Sequence, residues 1–270
     1  MSTRSLGYAT DIALLTYGGS TVTPRADYRV VCSPHNPTFW GGNFILLDDA
    51  PVPGSAPHWL ETFHAEFPDA EHVTIGVDAT GDLGEALADF STFGVPVDAM
   101  TVMTATSVHA PPRVADAAVC RALSSDDDWE RSVDLDCRSN VEEHEPNAYR
   151  TFATRRRDTH RRLVENGRGQ WFGAFVDGEL LCQMGLFRAP DGLARFQNVH
   201  TDPAARRHGL AATLVHHVSR YGFDHMGAST LVMVADPGYF AIDLYRSVGF
   251  SDTESQWSAQ RGPLTTTSES

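Results

Sequence analysis

Along residues 117 to 260, apolar side chains recur in two rhythms, a period near two in short runs and a period near 3.6 in longer ones, so strands alternate with helices. The run AAVCRAL (117–123) predicts a short strand. SSDDDWERSVDLDCRS predicts a helix after it, because Ser125 can cap the first turn and three aspartates lie at its positive end. A second, arginine-rich helix is expected from about Ala148 to Val164. WFGAFVDGELLCQMGLFR reads as two strands joined at Asp177-Gly178, a pair that accepts the positive φ angles of a tight hairpin turn. LARFQNVHT predicts the next strand, and Pro203 is expected to open the following helix, since the first helical position needs no amide hydrogen. Leu210, Leu214, Val218 and Tyr221, with Ala211 and Val215 beside them, form the stripe that would pack this helix on a sheet. TLVMVA predicts a buried strand, Phe240 to Val248 a short helix stopped by Gly249, and FSDTESQWSAQ a last strand. The order defines an α/β layer on a mixed sheet.

The N-terminal part is patterned less clearly, but its end again reads helix, strand, helix, strand, through APHWLETFHAEFPDAEHVTIGVDA and LGEALADFSTFGVPVDAMTVMTA. ALADFSTFGVPVDAMTVMT parallels YFAIDLYRSVGFSDTESQWS: each has a short helix, an aromatic end, a glycine, an apolar residue and a strand. SVHAPPRV, with its paired prolines, is the expected linker. Domains are therefore expected at 1–112 and 113–262, with 263–270 as a disordered tail. Trp40 and Phe39, in PHNPTFWGGNFILL, are expected in the N-terminal core, with a wall of an acceptor pocket as the alternative.

Composition narrows the function classes. The 270 residues are 41% hydrophobic and 21% charged, ordinary for a soluble globular protein, and neither a membrane span nor a secretion signal is evident, so a cytoplasmic location is expected. The formal net charge is −14 and the chain has no lysine, which argues against nucleic acid or an anionic membrane as partner. Cys32, Cys120, Cys137 and Cys182 are scattered and read as buried free thiols. His216-His217 is not a metal pair, because adjacent helical residues point about 100° apart, and no metal is expected.

The chemistry concentrates at Arg206-Arg207-His208-Gly209-Leu210-Ala211. Amides in the first turn of a helix lack internal acceptors and, with the helix dipole, form a site for a phosphate group. Gly209 and Ala211 are small enough for a close approach. This R-x-x-G-x-A segment follows a strand, opens an amphipathic helix, and precedes AIDLYRSVGF. With both in order, the chain from about Val114 to Gln260 resembles the GNAT superfamily of N-acyltransferases. The resemblance implies a mixed, mostly antiparallel sheet with splayed central strands and flanking helices, here as two tandem copies of which the N-terminal one is degenerate and lacks the cofactor motif.

It further implies acetyl-CoA as co-substrate and direct acetyl transfer, in a ternary complex, to a primary amine of a small molecule or peptide. Val199 and Thr201 would bind the pantetheine arm through their backbone, and Arg206, Arg207, His208, Gly209, Leu210, Ala211 and Ala212 would cradle the pyrophosphate. Tyr245, matching the Tyr of the family's L-Y pair, would protonate the leaving thiolate. Gly238 departs from the family, which often has an asparagine there. A general base is not singled out: Arg195 and Gln197 do not suit the task, His200 reads as a surface histidine or a base, and Glu142, Glu143 and Glu145 read as a solvated acidic loop or a cationic-substrate site. A non-catalytic sensor or scaffold that binds acyl-CoA is the alternative function.

Overall fold

The computed structural model describes residues 3–139 and 145–263, which form two compact units: the chain up to Val102 together with the stretch from Thr253 on, and Met103–Asp252. The bounds expected from the sequence, 1–112 and 113–262, differ from these. The physical reason is strand pairing: Ser258 to Arg261 pair with Gly76 to Val73, so the end of the last strand joins the N-terminal unit.

The N-terminal unit contains α1 (Leu6–Tyr17), β1 (Thr21–Pro24), β2 (Tyr28–Cys32), β3 (Phe44–Leu47), α2 (Ala56–Glu66), β4 (Val73–Val77), α3 (Gly84–Leu87) and β5 (Val97–Ala105), which runs into the second unit. β1, β2 and β3 pair antiparallel and β3 pairs parallel with β4. Its core joins Ile45, Phe63, Ile75, Leu87 and Phe90. Trp40 stacks on His72, whereas Phe39, expected in that core, is exposed, because its ring lies over the exposed Gly41 and the outer side of Gly42.

The second unit contains β6 (Val119–Ala122), α4 (Asp126–Ser139), α5 (Pro146–Glu165), β7 (Gly169–Val176), β8 (Glu179–Arg188), β9 (Leu193–Thr201), α6 (Leu210–Met226), β10 (Thr230–Ala235) and α7 (Ala241–Arg246); β11 (Ser251–Arg261) leaves it for the first. β6 to β9 pair antiparallel in order, and β9 pairs parallel with β10. Local chemistry explains the element ends. Ser125 Oγ accepts from Asp128 N at 3.1 Å, and the Glu145 carboxylate accepts from Asn147 N and Ala148 N at the start of α5. Asp177 and Gly178, at φ 51° and 82°, turn β7 into β8. Leu210, Leu214, Val215 and Val218 bury the inner face of α6 as expected, with Tyr221 half-buried at its edge.

Two expectations are corrected. Pro203 does not open α6; it opens a 3-10 turn, Pro203–Ala205, capped by Asp202, and Arg207 (φ 64°) and Gly209 (φ 83°) interrupt helical hydrogen bonding before α6 begins at Leu210. Of the four free cysteines only Cys182 is buried; the other three lie nearer the surface. Among the described residues no helix is long and apolar enough to cross a membrane.

Candidate active site at the parting of β9 and β10

β9 and β10 are paired only over Leu193–Thr230, Ala194–Leu231 and Arg195–Val232, although both strands continue. Beyond Arg195 the backbone of β9 turns away. A bulge marks the place: Gln183 pairs with His200 and Gly185 with Gln197, so β9 spends one residue more than β8, and Asn198 takes φ 50°. A bulge of this kind bends a strand and re-aims its side chains.

Beside the end of β9 lies a cavity of about 480 Å³ lined by Val199, His200, Thr201, Arg206, Arg207, Gly209, Leu210, Ala211 and Tyr245, among others. A second cavity, of about 270 Å³, lies between the strands beside Phe196, Asn198 and Met233, and shares Val199, Tyr239, Ala241 and Tyr245 with the first. Eight of the residues singled out in the sequence thus meet at one place: Val199, Thr201, Arg206, Arg207, Gly209, Leu210, Ala211 and Tyr245. His208 is exposed and Ala212 faces the core, and neither lines the cavity.

At the start of α6 no side chain caps the helix, so the first-turn amides of Leu210 and Ala211 have no side-chain acceptor, and both residues line the cavity. Gly209 is required here by the chain itself: its φ is 83°, and a Cβ on it would meet the Arg113 carbonyl oxygen at 2.8 Å. Arg113 Nη1 also donates to the Arg207 carbonyl at 3.0 Å, so residues 113 to 115 hold this turn in place.

Tyr245 is 6% exposed. Burial, then the neighbouring Cys182 and Tyr239, lift its hydroxyl well above the usual phenol range, so it is protonated at neutral pH. Cys182, pushed up to about 12 by burial, accepts a hydrogen bond from Thr201 Oγ1 and is an inert thiol. Gly238, at the place of the family's asparagine, donates its amide to Asp236 Oδ1 at 2.7 Å and closes a turn within its own loop.

Sequence reasoning missed a buried polar network on the α4 side. Asp136, 2% exposed, receives Arg157 Nη2 at 2.6 Å on one oxygen, and Gln183 Nε2 at 2.9 Å and His200 Nδ1 at 2.8 Å on the other. Gln183 is held in turn by Trp171 Nε1 at 3.1 Å and by Ser132, while Arg157 lies over the Trp171 ring at 3.8 Å. Burial alone would raise the Asp136 carboxyl, but the His200 hydrogen bond and the Arg157 charge outweigh it and hold it below the usual range. The signal was present: Ser132 and Asp136, four residues apart, are polar positions in the inward stripe of α4.

Of the acidic loop, Glu142 and Glu143 lie outside the described residues. The Glu145 carboxylate is engaged in capping α5, and those amide hydrogen bonds lower its pKa.

A three-strand antiparallel run, a helix and a parallel strand that parts from its neighbour define an acyltransferase-type α/β fold. Residues 129–250 match the family model described as "Acetyltransferase (GNAT) family", so this stretch of the chain is a GNAT-family domain. Solved structures share the fold over nearly the whole chain. A GCN5-related N-acetyltransferase from Kribbella flavida is 15% identical with a TM-score of 0.66, covering 96% of this chain and 96% of its own. A functionally unknown conserved protein from Staphylococcus epidermidis is 12% identical with a TM-score of 0.68, over 90% of this chain and 93% of its own. A GCN5-related N-acetyltransferase from Sphaerobacter thermophilus is 15% identical with a TM-score of 0.55, over 87% and 80%. No curated protein matches the chain in sequence.

Proposed function

We propose that the protein is an N-acetyltransferase that moves the acetyl group of acetyl-CoA directly to a primary amine of a small molecule or peptide, within one ternary complex. The observation that carries this reading is the gap between β9 and β10 beyond Arg195 and Val232, with the uncapped start of α6, Arg206 and Arg207 on the wall of the cavity by the end of β9, and the buried Tyr245 beside them. Beyond Arg195 the edge of β9 that carries Val199 and Thr201 no longer pairs with β10, and its backbone has donors and acceptors to offer the two amides of a pantetheine arm. The amides of Leu210 and Ala211, with the two arginines, suit a pyrophosphate. Tyr245 then gives its proton to the departing sulfur. The thiolate expelled into the same buried site is desolvated, hence a stronger base than in water, which lets a phenol of raised pKa serve as the acid.

The N-terminal unit repeats the element order, with β1, β2 and β3 antiparallel, then α2 and a parallel β4, and we take it to be a tandem copy without a cofactor slot. Its parallel pair stays closed to the strand ends, at Leu47–Val77, and Asp78 N donates to Leu47 O at 2.8 Å.

Release of free thiol tests the reading. With acetyl-CoA and a panel of amines, thiol is expected to appear only when both substrates are present, and calorimetry is expected to give heat with CoA alone. Heat without turnover across the panel would instead make the protein a non-catalytic acyl-CoA-binding module. No heat at all would remove the cofactor assignment.

A further inference from the structure

We infer that His200 is the general base that takes the proton from the acceptor ammonium, with Asp136 and Gln183 as the positioning residues that set its tautomer and direction. The inference rests on the acyl-transfer reading above, and names a residue that reading leaves open.

Asp136 is ion-paired to Arg157 at 2.6 Å inside the protein, so its carboxylate only accepts hydrogen bonds. His200 Nδ1, 2.8 Å from it, must therefore carry the hydrogen, and in the neutral ring Nε2 holds the free lone pair. Among the described residues Nε2 has no partner, and His200 lines the same cavity as Tyr245. A base oriented by a second group, which is itself oriented by a third, is the arrangement that makes an imidazole effective.

The packing explains why the ring cannot drift. Gln183 and His200 are direct cross-strand neighbours on β8 and β9, so both reach the one Asp136 oxygen from the same face of the sheet. The bulge at Asn198 sets which face that is. Of the carboxylates around the two cavities, Asp136 is sealed, Glu145 caps α5 and the exposed Asp236 takes the Gly238 amide within its own loop. The charged and titratable groups around the pair are Cys137 on α4 and Tyr149, Arg156, Arg157 and His160 on α5, while Arg206 and Tyr245 line the same cavity as His200.

The step balances simply. Nε2 takes one proton from the ammonium and passes it to solvent. The neutral nitrogen attacks the thioester carbonyl, the N–C bond forms and the C–S bond breaks. The second proton, shed as the amide forms, balances the one Tyr245 gives to sulfur.

His200→Gln is the test, because a glutamine amide can still donate to Asp136 and leaves the Asp136–Arg157 pair whole. With an amine that the wild type acetylates, kcat/KM at pH 7 is expected to fall by about 10²-fold or more. The deficit is expected to close as pH rises past the pKa of the acceptor ammonium, where the substrate needs no base, while acetyl-CoA affinity and melting temperature stay at wild-type values. Undiminished kcat/KM at pH 7, or a loss of the same size at every pH, would overturn the assignment. Absence of turnover by the wild type would instead remove the acyl-transfer reading, and this one with it. Asp136→Asn is expected to show the same closing deficit, and full activity in that variant would refute the positioning role.

Discussion

Two glycines with nearly the same backbone conformation provide a controlled test of how the start of α6 is held. Gly178 (φ 82°) and Gly209 (φ 83°) both sit in the left-handed region, but a Cβ at Gly178 meets nothing within 4 Å, whereas at Gly209 it meets the Arg113 carbonyl oxygen at 2.8 Å. Gly178→Ala is therefore expected to cost only the left-handed penalty, about 1 kcal/mol. Gly209→Ala carries the same penalty plus a backbone overlap that cannot rotate away, about 1–2 kcal/mol more. At about 2–4 °C per kcal/mol for a chain of this size, the melting temperature should fall by about 2–4 °C in the first variant and about 4–12 °C in the second. Function should separate them further. Relief of the overlap moves residues 206 to 210 against residue 113, so acetyl-CoA affinity, read by calorimetry, is expected to fall in Gly209→Ala and to hold in Gly178→Ala. Equal melting shifts, or intact affinity in Gly209→Ala, would refute the claim that Arg113 and Gly209 together hold the turn proposed to bind phosphate.

Other expectations follow from the same geometry. Tyr245→Phe should lower kcat by about 10²-fold with acetyl-CoA affinity nearly unchanged, since the hydroxyl has no hydrogen-bond partner among the described residues; equal loss of both would remove the acid role. Arg157→Ala strands the Asp136 carboxylate inside the protein and should cost about 3–5 kcal/mol in urea unfolding; a loss under about 1 kcal/mol would mean that water reaches Asp136. Asp128 accepts from Arg121 and from Ser124 N, and these bonds, against the opposing effect of burial, hold its carboxyl far below the usual range. Because the folded-state value is the lower one, the stabilisation is present at neutral pH and is lost as pH falls. Asp128→Ala should therefore cost about 1–2 kcal/mol at pH 7. The gap from wild type should narrow below about pH 4, where carboxyls begin to protonate; a gap independent of pH would refute the ionic origin.

Much of the second unit was legible from short stretches. The Asp177-Gly178 turn, the Ser125 cap and the apolar stripe of α6 are decided within a few residues of one another, so their chemistry is written locally. The R-x-x-G-x-A segment and Tyr245, which line one cavity, stand out in the sequence for the same reason, as each lies at a fixed offset from a strand or helix end. The start of α6 was misjudged because Pro203 suits a 3-10 turn as well as a helix, and the left-handed Arg207 leaves no mark in composition.

The sequence by itself determined the elements of the second unit, their order, and the placement of a glycine and two arginines where a strand gives way to a helix. Tertiary structure decided the rest. His200 and Asp136 are 64 residues apart in the chain and meet only because β9 bulges and α4 lies across it. Gly209 is needed because Arg113 passes over it, and the last strand leaves its own unit because its final residues pair with β4. Each of these contacts joins distant parts of the chain, and periodicity carries no record of which distant partner a residue will find.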